Sequence, residues 1–137
     1  MGPRVIQIDG RCHCGDLGYQ LRITTPAPAR RSCACDFCAR HQPLWTSDPQ
    51  GEVRLYGADQ AIAYRFEHRT ADFLVCARCG LLAAAVSVEE PRCAVLNLRL
   101  AESVWWCDAA VDCLSHDGET DSARVQRHQQ RWTPLVD

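Results

Sequence analysis

Apolar and polar side chains alternate over Gly18 to Thr24, Glu52 to Tyr56 and Ala61 to Glu67, the pattern of strands with one face buried and the other wet. Asp72 to Cys76, Leu81 to Val88 and Cys93 to Leu100 are further strand candidates. Turn chemistry separates these runs at Pro26-Ala27-Pro28, Asp48-Pro49-Gln50-Gly51, Gly57-Ala58-Asp59 and Glu89-Glu90-Pro91. Short strands at this spacing predict an antiparallel all-β domain and not a chain of βαβ units. A helix of one or two turns is expected over Asp36 to His41. A second is expected over Asp121 to Trp132, beginning at an Asp or Ser cap after the polar turn His116 to Glu119.

The 137 residues, 47% of them apolar, suffice for one domain with its own core. A formal net charge of −2 and scattered arginines exclude nucleic acid and anionic lipid as expected partners, since both need a clustered basic excess. Met1 to Asp9 has no apolar run of signal-peptide length, and charges interrupt every later apolar stretch well short of a membrane span. The expectation is a cytoplasmic protein without a membrane partner.

Ten cysteines change the picture. Disulfides in an oxidising compartment compete with metal thiolates in a reducing one. Spacing favours metal, because cysteines at C-x-C and C-x-x-C offsets are too close in sequence to bridge each other comfortably yet aim two sulfurs at one ion. Three clusters stand out: Cys12-His13-Cys14-Gly15, Cys33-Ala34-Cys35-Asp36-Phe37-Cys38 and Cys76-Ala77-Arg78-Cys79-Gly80. The first and third both place Gly after the last Cys, where a backbone free to take positive φ can turn N–H groups toward sulfur. On that shared ending Cys12, Cys14, Cys76 and Cys79 are paired as one structural Zn²⁺ site, whose metal would contribute directly to folding.

The middle cluster offers three thiols. Three ligands and an open fourth position suit a Lewis-acid or thiol-activating zinc. His41, three residues after Cys38, could instead close a Cys₃His site, Asp36 could ligate, and without metal the three thiols would form a redox site. Arg30, Arg31 and Arg40 flank the cluster and could take the carboxylates of an anionic thiol. Cys93 reads as a core residue, and Cys107, Cys113 and His116, which follow the apolar Val104-Trp105-Trp106, read as packing. His13 points away from its neighbours, His68 falls in a polar turn and His128 on a surface helix.

In the order C-x-C-G, C-x-C-x-x-C, C-x-x-C-G, the chain resembles the glutathione-dependent formaldehyde-activating (GFA) family, which includes the centromere protein V-like proteins. The resemblance runs from about Gly10 to Leu100 and takes in Gly10, Arg40 and Asn97 besides the seven cysteines. It departs at Ala34, where the family often has His, and at Ala39 to Trp45, where many members carry small or Gly-containing sequence. The resemblance implies small antiparallel sheets in a zinc-bound β-tent fold with a short C-terminal helix or tail. It implies two zinc ions per chain, a structural one on Cys12, Cys14, Cys76 and Cys79 and a catalytic one on Cys33, Cys35 and Cys38. Residues 1–103 would then be the zinc-binding domain and residues 104–137 a C-terminal extension packed on it or trailing from it. The implied activity is that of a carbon–sulfur lyase, S-hydroxymethylglutathione synthase-like, joining a thiol such as glutathione to formaldehyde or another small aldehyde. The alternatives are a non-catalytic module, with two structural zincs and a partner-binding surface near Trp105-Trp106, and a thiol redox sensor.

Overall fold

The computed structural model describes residues 5–103 and 110–137. Trp105, Trp106 and Cys107 lie outside the described residues. A hairpin of β1 (Ile6–Arg11) and β2 (Gly18–Ile23) opens the chain, and β3 (Arg31–Cys33) leads into the short helix α1 (Asp36–His41). Then come β4 (Trp45–Thr46), β5 (Glu52–Tyr56), β6 (Ile62–Tyr64), β7 (Ala71–Val75), β8 (Leu82–Ser87) and β9 (Cys93–Asn97). After a 3-10 turn at Leu98–Leu100, β10 (Asp112–Leu114), α2 (Asp121–Arg131) and β11 (Thr133–Val136) complete the described chain.

The protein is mostly β, in one open mixed sheet with few helices. The path runs β1-β2-β5-β11-β9-β4-β3-β10, and β8, β7 and β6 branch from β9. β9 is the junction. β8 covers one edge, through Ala84 opposite Leu96 and Val86 opposite Ala94, while β11 and β4 share the other. All five β9 residues are buried, which explains an apolar run without alternation. β2, covered on one face only, keeps the alternation of a half-wet strand.

The expectation of small antiparallel sheets needs correction. β10 runs parallel to β3 and β11 parallel to β5, within a single sheet. Parallel strands need a long crossover, so each partner is remote in sequence and leaves no hairpin signal. The two helices form as expected, although α2 is capped by Thr120, whose Oγ1 accepts from the Ala123 N–H at 3.1 Å.

The main core gathers Ile8, Tyr19, Leu21, Val53, Leu96 and Leu98 from β1, β2, β5, β9 and the 3-10 turn after it. A second cluster packs Cys38, Trp45, Ala85, Val95 and Trp132. Asn97, itself buried, ties the two together: Nδ2 donates to the Leu82 carbonyl at 2.8 Å, and Oδ1 accepts from the Leu44 and Arg99 N–H groups at 3.2 Å each. Among the described residues no helix is long and apolar enough to cross a membrane.

Candidate functional site

Two hairpin turns, β1–β2 and β7–β8, carry the outer cysteine pairs in the same six-residue frame. Cys12 N–H donates to the Leu17 carbonyl at 2.8 Å and Cys76 N–H to the Leu81 carbonyl at 2.9 Å, with Gly15 and Gly80 folding back onto Cys12 and Cys76. Both glycines take positive φ, +89° and +81°, as their place after the last cysteine predicts. The turns meet, and the Sγ atoms of Cys12, Cys14, Cys76 and Cys79 all lie within 4.8 Å of one another.

Cys14 Sγ stands 3.6 Å from Cys12 Sγ and 3.5 Å from Cys76 Sγ. A disulfide bond is only about 2.05 Å long, whereas four sulfurs about 2.3 Å from one ion have tetrahedral edges of about 3.8 Å. The Leu17 N–H donates to Cys12 Sγ at 3.3 Å, and the Arg78 and Cys79 N–H groups to Cys76 Sγ at 3.4 Å each. Backbone donation from Cys14 holds Cys79 down at about 6. The Asp16 N–H pulls Cys14 the other way less effectively than burial and its neighbouring thiols push it up, to about 12. The donor set therefore suits a closed, soft-ligand metal site. Cys12 and Cys76 belong to the main core, and Cys14 and Cys79 pack against it.

The middle cluster is built locally. Cys33 ends β3. Cys35 is the N-cap of α1, its Sγ accepting from the Cys38 N–H at 3.4 Å, and Cys38 is buried in the helix. The three sulfurs lie within 4.8 Å of one another. The indole N–H of Trp45 donates to Cys38 Sγ at 3.4 Å. Hydrogen bonding from Cys38, with help from Cys35, brings Cys33 down to about 5 against the opposing effect of burial. Cys35 is raised by burial, and Cys38 is raised by its donation to Cys33 and by burial.

Neither His41 nor Asp36 joins them. His41 is exposed and its ring lies 4.5 Å from that of Phe37, while the Asp36 side chain is 97% exposed and pairs with Arg40. All three cysteines instead line a cavity of about 560 Å³, a volume suited to a small ligand. None of the four outer cysteines lines it.

Arg31 was expected beside the cluster from sequence, and the rest of this cavity was not. Arg31 lines it, as do Trp45, Phe73, His116 and the inner face of α2. Arg40 instead donates to the Asp36 carbonyl at 3.0 Å, away from the cavity, and Arg30 donates to the Pro28 carbonyl at 3.5 Å. Cys93 is buried as expected and donates to the His128 carbonyl at 3.3 Å. His128, expected on a surface, is buried and stacks on Trp132 with centroids 3.8 Å apart. Burial, with Arg127 and Arg124 adding, holds His128 neutral at about 3. His116 is also lowered, first by burial and then by Arg127. The signal was present in the i, i+4, i+8 spacing of Arg124, His128 and Trp132, which share one helical face.

A sequence model of the family described as "Glutathione-dependent formaldehyde-activating enzyme" matches residues 7–104. No curated protein matches the chain. Among solved structures, the crystal structure of a Rhodobacter sphaeroides protein aligns with a TM-score of 0.60 at 23% identity, covering 77% of this chain and 99% of that one. At that identity the likeness concerns the fold.

Proposed function

Because this chain belongs to the glutathione-dependent formaldehyde-activating family, we propose that it is a zinc-dependent carbon–sulfur lyase that joins a thiol such as glutathione to formaldehyde or another small aldehyde. The observation that carries this reading is that Cys33, Cys35 and Cys38 cluster and line one cavity while the other four clustered cysteines pack in or against the core. On this reading two zinc ions bind per chain. Cys12, Cys14, Cys76 and Cys79 hold the structural one, and Cys33, Cys35 and Cys38 hold the second, catalytic one. The sheet is that of a β-tent, and residues 104–137 are an extension packed on the 1–103 domain, a reading supported by β10 against β3 and β11 between β5 and β9. Thiolate ligands belong in a reducing compartment, which fits a cytoplasmic location.

In the reaction the thiol sulfur forms a bond to the aldehyde carbon, the C=O π bond breaks, and the thiol proton passes to the former carbonyl oxygen. Zinc at the second site would lower the pKa of an incoming thiol and polarise the aldehyde oxygen. The chain supplies the rest. Trp45 and Phe73 give the cavity an apolar wall that limits water around the reacting groups. His116 lines the same cavity and is held neutral by burial and Arg127, so its free nitrogen can take the thiol proton and return it to oxygen. Against a closed Cys₃His site stands the exposed position of His41.

Exchange NMR on glutathione and formaldehyde tests the reading. The zinc-loaded protein is expected to accelerate S-hydroxymethylglutathione formation over the spontaneous rate. An unchanged rate at stoichiometric protein would overturn it.

A further inference from the structure

The wall of the cavity beside Cys33 is rich in arginine. Arg31, Arg124, Arg127 and Arg131 line it. Glu119 accounts for two of them, taking Arg127 at 2.9 and 3.1 Å and Arg124 at 3.4 Å. Arg31 and Arg131 form no ion pair among the described residues, although Glu67 and Asp117 also line the cavity. Arg31 is fixed against the end of α2: its guanidinium donates to Ser47 Oγ, whose hydroxyl donates to the Arg131 carbonyl at 2.8 Å. The charges of Arg131 and Arg127 oppose that of Arg31, and Asp112 offsets them in part. Two arginines that line one cavity and whose charges oppose each other are stabilised by an anion, and a planar fork suits a carboxylate.

A second observation sets a scale. Arg31 and Cys33 are two residues apart on β3, so they share one face of the strand about 7 Å apart along it, and both line the cavity. A ligand with its sulfur near Cys33 therefore reaches the guanidinium groups with an acid group several bonds from that sulfur. The same wall holds His128, buried and with Nδ1 unpaired among the described residues, so it is a polar surface left incompletely satisfied.

Resting on the lyase reading, we propose that Arg31 and Arg131 form a carboxylate subsite that makes this protein select acid-bearing thiols over neutral ones. Arg131 comes from α2, beyond the residues 7–104 that match the family, while Arg31 lies within them, so the C-terminal segment of this chain completes the subsite.

The test is calorimetric titration of the zinc-loaded full-length protein with S-methylglutathione and with its dimethyl ester. The blocked sulfur separates binding from chemistry. The acid is expected to bind roughly tenfold tighter than the ester. Arg131→Gln should remove that preference, and Arg40→Gln, away from the cavity, should keep it. Arg31→Gln gives a second reading, since it too should lose the preference if it folds. Equal affinity for acid and ester, no binding of the acid, or an unchanged ratio in Arg131→Gln would overturn the subsite. Selective binding without accelerated S-hydroxymethylglutathione formation would overturn the lyase reading and leave the subsite standing.

Discussion

The indole Nε1 of Trp45 donates a hydrogen bond to the Sγ of Cys38 across 3.4 Å. Trp45 also sits opposite Arg31 on β3 and Asn97 on β9, so the sheet itself orients this donor. Removing a donor that orients a metal-ligating group typically costs tenfold or more in metal affinity. Trp45→Phe is expected to keep the fold and to weaken zinc at the second site by roughly tenfold, measured by chelator competition. Equal retention of both zinc equivalents would show that the bond does not tune the cluster.

The two clusters should respond differently to loss of a sulfur. Cys79→Ala removes one member of a set that joins two distant hairpins, and the variant is expected to lose cooperative melting by circular dichroism. Cys35→Ala should melt cooperatively and retain one zinc equivalent. If both variants unfold alike, the middle cluster is structural.

Asn97 makes three hydrogen bonds from a buried amide. Asn97→Ala leaves the Leu82 carbonyl and the Leu44 N–H unpaired in the core, and is expected to cost about 2–4 kcal/mol in denaturant unfolding. A cost under about 0.5 kcal/mol would mean that water replaces the amide.

His128 links stability to pH. Its pKa falls from 6.5 in the unfolded chain to about 3 when folded, because burial disfavours the cation. Between those values the unfolded chain binds the extra proton, so stability rises with pH. The native advantage is complete above about pH 6.5 and declines as pH falls, by about 1.4 kcal/mol per unit. His128→Phe, which can keep the stack on Trp132, should flatten this dependence. The wild type is expected to lose roughly 5 °C more in melting temperature than the variant between about pH 7 and pH 5. Parallel curves would contradict the assignment.

What was legible in the sequence was local. The alternation in β2 and β5, the helix Asp36–His41 and the two Cys-Gly turns each depend on neighbours within a few residues, and each appears where its pattern predicts. The long-range pieces left little trace. β11 contains Pro134 and only four residues, yet it lies between β5 and β9, about eighty positions away from its parallel partner. β10 is shorter still, and its pairing carries the Ala34 N–H to the Leu114 carbonyl at 3.0 Å beside the middle cluster. His128 was read as a surface residue and His116 as packing, but the parallel strands on either side draw both into the cavity wall.

A lyase of this kind needs a middle cluster that keeps a position for a substrate thiol. Cobalt(II) in place of zinc makes this visible, because each thiolate bound to the ion adds sulfur-to-metal charge-transfer absorption. Adding glutathione to the cobalt-loaded protein is predicted to raise that absorption in the wild type and to have no such effect in Cys35→Ala. A wild-type spectrum unchanged by glutathione would mean that the site is closed, and would contradict the lyase reading.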